Sequence, residues 1–132
     1  SIALSNKSRN IPYSFNRKET KNHGEGGEII GSSIKGGVLV IDDVISAGTS
    51  INESYKLIHK NGAKIAGVIV AIDRQEKGEN ALSATQEIAK KYSIPVISII
   101  TLEDIIHYLE VANSFSNELE LIKKYQNTYG II

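Results

Sequence analysis

The sequence predicts an α/β fold, a doubly wound parallel sheet flanked by helices, and three observations carry that expectation. Three apolar runs, Gly37-VLVIDD, Ile65 to Asp73 and Pro95-VISII, are rich in β-branched residues and do not alternate with polar ones, the pattern of strands buried on both faces. A helical pattern follows each run, and such alternation implies right-handed crossovers between parallel strands. The length, 132 residues and 14.4 kDa, suits one domain at roughly 100 to 200 residues per domain.

The elements follow in order. The chain opens on Ser1-Ile2-Ala3-Leu4, an apolar stretch with no start signal, and it contains no methionine; it is expected to be a processed chain or a fragment of something longer. Pro12-Tyr13-Ser14-Phe15 is a candidate strand leading into a segment from Asn16 to Gly37. That segment, NRKETKNHGEGGEIIGSSIKGG, holds six of the eleven glycines and an excess of charge without periodicity, so it predicts a long mobile loop. A structureless loop of about 20 residues is unusual inside a domain and points to function. After the first buried strand, Ser46-Ala47-Gly48-Thr49 makes a small-residue turn. Ser50-Ile51-Asn52-Glu53 then has the form of a capping box that starts a helix, with Ile51, Tyr55 and Ile58 on one face and Asn61-Gly62 as its stop. Ser83-Ala84-Thr85-Gln86 is a second capping box. Leu102, Ile105, Ile106 and Leu109 have amphipathic helical spacing, and 117–129 is a final helix closed by Gly130.

Composition excludes several function classes. Fifteen basic residues balance fifteen acidic ones, with 41% hydrophobic and 23% charged residues, so neither a disordered chain nor a broad nucleic-acid-binding surface is expected. The absence of cysteine removes disulfides, thiolate nucleophiles and cysteine-based zinc sites, and it fits a cytoplasmic protein. No apolar run approaches the ~20 residues of a membrane helix.

The chemistry is expected where an apolar strand ends in Asp42-Asp43 and turns through Ser46-Ala47-Gly48-Thr49-Ser50 into a helix, because ligands of open parallel sheets bind beyond the carboxyl ends of the strands. Small residues let backbone N–H groups approach an anion, hydroxyls add donors, and the helix N-terminus contributes its dipole, which together make a phosphate site. The two acids cannot favour the same phosphate; they hold either sugar hydroxyls or a magnesium ion that neutralises it. His59 and His107 lack a second ligand at metal spacing and read as exposed helix residues, and Tyr125 and Tyr129 read as packing the last helix. On residues alone, Arg74 is a surface arginine at a strand end.

Val38 to Ser50, VLVIDDVISAGTS, resembles the phosphoribosyl pyrophosphate signature of the type I phosphoribosyltransferases. Asn16-RKETKNHGEGG, Asp73-Arg74-Gln75-Glu76 and Val96-ISIITLEDII resemble, in the same order, the catalytic loop and later segments of the orotate phosphoribosyltransferases. The resemblance runs from about Tyr13 to the C-terminus. It implies magnesium-dependent transfer of a phosphoribosyl group from phosphoribosyl pyrophosphate to orotate, with no protein-built metal site and the magnesium held mainly through the phosphoribosyl substrate near Asp42 and Asp43. It also implies a homodimer in which Arg17, Lys18, Lys21 and His23 reach the diphosphate of the neighbouring active site, Lys21 with the largest effect. Asp42 and Asp43 would contact the ribose hydroxyls. The turn Ser46, Ala47, Gly48, Thr49 and Ser50, entered through Val44 and Ile45, would hold the 5-phosphate, and Arg74 would pair with the orotate carboxylate. Ser46 stands where the family usually has threonine and keeps the hydroxyl, so its contact with the base is expected to survive.

Family members carry a longer N-terminal part, so this chain corresponds to the C-terminal portion and is expected to expose a sheet edge and an apolar face. Competing readings are a regulatory protein of the same fold that binds the phosphoribosyl substrate without chemistry, and an inactive fragment. A receiver-like domain built on the acid pair fits less well, because it has no use for the Gly-rich loop.

Overall fold

The β-branched runs become a parallel sheet, and the segments between them become the helices that cover it. The computed structural model of the chain describes residues 2–16, 29–78, 81–112 and 114–131. A short helix α1 (Ile2–Ser5) precedes an antiparallel pair, β1 (Ser14–Asn16) and β2 (Ile29–Gly31), joined in the register Phe15 to Ile30. The segment expected to be loop from 16 to 37 therefore carries strand at both of its described shoulders. The apolar pair Ile29-Ile30 finds a partner in 14–16 that lies on the far side of the polar run, which local periodicity does not reveal.

The main sheet consists of β3 (Gly37–Asp42), β4 (Lys64–Asp73) and β5 (Val96–Thr101), parallel and in the order β3-β4-β5. A register shift after Val38 leaves Ala66 as the extra residue of β4. Beside it Gly67 faces Pro95, whose Cγ would lie 3.1 Å from an added Cβ, so the absent side chain permits this approach. Helix α2 (Thr49–Lys60) connects β3 to β4, and α3 (Ala84–Tyr92) connects β4 to β5. Ile51 and Ile58 of α2 are buried as their spacing predicts, and Ile51, Ile88, Val68, Val70 and Ile45 form the core, with Val40 and Val96 against it. After β5 the chain continues into α4 (Leu102–Ala112) and α5 (Ser116–Tyr129), which pack on each other.

Strand burial departs from the expectation of two covered faces. Val40, Val68 and Val96, aligned across the sheet, face the α2–α3 layer, whereas the adjoining row Ile41, Ile69 and Ile97 lies on the other face. There Ile41 and Ile99 are 74% exposed. Burial of that face needs a second layer, which the described residues do not supply.

Capping also divides into a success and a correction. Ser83 caps α3 as predicted, with Gln86 N donating to Ser83 Oγ and Ser83 N donating to Gln86 Oε1. Ser50, by contrast, does not cap α2. The helix begins two residues earlier, at Thr49 behind Gly48, which is left-handed at φ 68°, and the Ser50 hydroxyl donates to Asp42. A carboxylate is the stronger acceptor. Asn61 and Gly62 (φ 73°) end α2 as expected, whereas Gly130 ends α5 in an extended conformation rather than a left-handed one. His59 and His107 are exposed on their helices. Among the described residues no helix is long and apolar enough to cross a membrane.

Candidate active site at the strand ends

The carboxyl ends of β3, β4 and β5 lie side by side, and the sequence places polar groups on all three as Asp42, Asp73 and Thr101. Asp42 ends β3. Its Oδ1 accepts from Asp43 N at 3.0 Å, and its Oδ2 accepts from Ser50 Oγ at 2.6 Å. Asp43 Oδ1 accepts from Val44 N at 2.7 Å, while its carbonyl accepts from Ala71 N and Ile72 N of β4. The two acids are thus held by local bonds and by the neighbouring strand, close to solvent.

The turn from Val44 to Ser50 is anchored from beneath. Ile45 is buried in the core, and Gly48 is buried beside Ile88. A Cβ on Gly48 would lie 2.7 Å from Ile88 Cδ1, and its φ of +68° is unfavourable to any other residue, so glycine is required on both counts. Ala47, Thr49 and Ser50 remain exposed. Asn52 N donates to the Gly48 carbonyl at 2.9 Å and closes the first helical turn, which leaves the preceding N–H groups for a ligand. A groove of about 990 Å³ opens alongside, lined in part by Ser46, Ala47, Gly48, Asn52, Lys77 and Lys91.

Arg74 joins this site from the end of β4. Its Nη2 donates to Ser46 Oγ at 2.7 Å and lies 3.1 Å from Glu76 Oε2, while its buried Nε has no hydrogen-bond partner. Ser46, the residue that stands for the family's usual threonine, thus uses its hydroxyl to link the two turns. Asp42, Asp43, the 44–50 turn and Arg74 are brought to one edge of the sheet; Arg17, Lys18, Lys21 and His23 lie outside the described residues.

Sequence reasoning gave no role to several residues of the second turn. Gln75 adopts φ 52°, held by its N–H donating to Asp73 Oδ1 and by Glu103 N donating to its Oε1. Asp73 Oδ2 also accepts from Thr85 Oγ1 at 2.7 Å, which is bonded to Ser83 Oγ. Tyr125 does more than pack α5, because its hydroxyl donates to Glu76. The only sequence signal was the polar run Arg74-Gln75-Glu76 itself, placed at a strand end.

As for a metal, no group of three or more candidate ligands occurs among the described residues. Two adjacent carboxylates fit a magnesium ion whose other ligands are substrate phosphates and waters, the usual arrangement for that cation.

A parallel sheet with a phosphate-type turn after an acid-ended strand defines a phosphoribosyltransferase fold, and residues 3–97 match the phosphoribosyl transferase domain family. The chain belongs to that family. Among its relatives, the orotate phosphoribosyltransferase of Laribacter hongkongensis is 48% identical over 130 residues, 98% of this chain and 61% of that protein. That of Vibrio cholerae is 55% identical over 120 residues, 91% of this chain and 56% of the relative. The crystal structure of orotate phosphoribosyltransferase from Francisella tularensis superposes with a TM-score of 0.78 at 36% identity, covering 98% of this chain and 61% of the other. The chain therefore spans about 60% of the length of the relatives it matches.

Proposed function

We propose that the chain forms the substrate-binding and catalytic part of an orotate phosphoribosyltransferase. This enzyme would transfer the phosphoribosyl group of phosphoribosyl pyrophosphate to orotate, giving orotidine monophosphate and diphosphate in pyrimidine synthesis. The observation that carries the proposal is the bond between Arg74 and Ser46, which sets a carboxylate-binding guanidinium against a phosphate-type turn and its acid pair. The similarity to named orotate phosphoribosyltransferases over nearly the whole chain supports the choice of base.

In this reading the 5-phosphate sits on the turn from Ser46 to Ser50, where backbone N–H groups, hydroxyls and the α2 dipole favour an anion. Asp42 and Asp43 accept from the ribose hydroxyls and fix the sugar ring. The planar fork of Arg74 meets the orotate carboxylate in paired hydrogen bonds. Asp42 and Asp43 would lie beside a magnesium ion held mainly through the substrate, which would supply positive charge to the diphosphate. The bond from the anomeric carbon to diphosphate breaks with its electron pair on the leaving oxygen, and the ring nitrogen of orotate bonds to that carbon as its proton passes to the diphosphate or to water. Arg17, Lys18, Lys21 and His23, carried by the partner subunit of a cytoplasmic homodimer, stabilise the departing charge and shield the ribose from water on closure.

Loss of orotate absorbance on mixing with phosphoribosyl pyrophosphate tests the proposal. Turnover that requires magnesium and yields diphosphate in equal amount with orotidine monophosphate is expected; transfer to a purine base but not to orotate contradicts it.

A further inference from the structure

The turn that carries Arg74 is held by the end of the chain. Tyr125 of α5 donates its hydroxyl to Glu76 Oε1, and the other oxygen of that carboxylate lies 3.1 Å from Arg74 Nη2. The backbone on both sides of Glu76 is fastened to the last residue of α5 and the segment just after it: Lys77 N donates to the Tyr129 carbonyl at 2.7 Å, and Ile131 N donates to the Gln75 carbonyl at 2.9 Å. Glu76 and Gly130 form an antiparallel bridge between these bonds. Gln75 sits at φ 52° within this clamp, a conformation that needs support from its surroundings when the residue is not glycine.

We infer that Glu76 and Tyr125 are positioning residues for Arg74, so that the C-terminal helix sets the direction of the guanidinium that receives the base. The inference rests on the role given to Arg74 under the proposed function. An arginine on a turn has several rotamers, and holding one of them in advance removes the ordering step from ligand binding. One oxygen of Glu76 orients Arg74 and the other is occupied by Tyr125, so the carboxylate cannot swing away with the arginine. Ser46 holds the same Nη2 from the opposite turn. Ser46 and Glu76 both engage Nη2 and Nε is buried, so Nη1 is the nitrogen left for a substrate carboxylate. Tyr125 bonds to the turn that carries Arg74, so its influence is expected to be larger on the base than on the phosphoribosyl group.

The test compares Tyr125→Phe, Glu76→Ala and Glu76→Gln with the wild type in the full chain. Two readouts are needed. Without substrate, hindered rotation of the Arg74 guanidinium is followed by nitrogen NMR; with substrate, KM is measured separately for orotate and for phosphoribosyl pyrophosphate. Hindered rotation is expected in the wild type and its loss in Glu76→Ala. The orotate KM should rise about tenfold in Glu76→Ala and severalfold in Tyr125→Phe, with the other KM within about twofold and kcat little changed. Glu76→Gln, which keeps an acceptor for the arginine, should recover most of the loss. Freely rotating Arg74 in the wild type overturns the inference, as does an equal rise in both KM values or an unchanged orotate KM in Glu76→Ala at wild-type melting temperature. A hindered Arg74 in a protein that does not act on orotate supports the clamp and instead overturns the proposed function.

Discussion

The two turns at the sheet's carboxyl edge are built differently. After β3, the side-chain bonds of Asp42, Asp43 and Ser50 reach no further than eight residues along the chain. After β4, the bonds that fix Arg74, Gln75 and Glu76 reach residues 28 and 49 positions away. The first turn is therefore nearly self-contained, positioned by Ile45 beneath it and the helix it starts. The second depends on α4, α5 and the first turn, and it presents a long charged side chain rather than backbone. On the proposed function, a group common to all phosphoribosyl donors is met by a local motif, whereas the part that would select the base is assembled from distant pieces.

Lys21, in the sequence between β1 and β2, provides the largest expected effect against both turns. Lys21→Ala should lower kcat by about 10²- to 10³-fold, the scale on which a charge-stabilising donor acts, while the affinity for phosphoribosyl pyrophosphate changes only a few-fold. Equal losses in turnover and binding would assign Lys21 to ground-state binding and favour a mere binder. The two turns are separated by Arg74→Lys, which keeps the charge and loses the fork. Its kcat/KM for orotate should fall about 30-fold or more, the scale of truncating a hydrogen-bonded charge pair, with unchanged binding of phosphoribosyl pyrophosphate by calorimetry. Gly48→Ala attacks the other turn. Its left-handed φ and the contact with Ile88 predict a loss of about 1–3 kcal/mol in a denaturant titration, together with weaker phosphoribosyl pyrophosphate binding. The smallest effect concerns the third strand end, where Thr101 and Asp104 cap α4 reciprocally. The Thr101 hydroxyl, and then its backbone N–H, hold the Asp104 carboxyl below the usual range. The cap is thus complete above the ordinary aspartate pKa and is lost as pH falls below about 4. Amide exchange in the first turn of α4 should quicken in that window for the wild type and not for Asp104→Asn.

These contrasts also explain what was legible in the sequence. Val38 to Ser50 could be read because strand, acids, turn and helix are consecutive, and Ser83 because a capping box is complete within four residues. Ser50 was misread as a cap for a related reason, since its true partner, Asp42, lies outside the four-residue motif but only eight positions back. The roles of Glu76 and Tyr125 had no local signature at all, because the bond between them joins residues 49 apart. The strands were expected to be covered twice, yet Leu39, Ile41, Ile97 and Ile99 are exposed, because apolar runs record what a face needs and not which residues meet it.

The most direct test of the central claim is a calorimetric titration of phosphoribosyl pyrophosphate into the chain, with and without magnesium, repeated on an Asp42→Asn, Asp43→Asn variant. The account predicts magnesium-dependent binding by the wild type that the paired substitution removes while the fold persists. Absence of binding by a folded wild-type chain, or equal binding by the variant, would contradict the assignment of this strand end as the phosphoribosyl cradle.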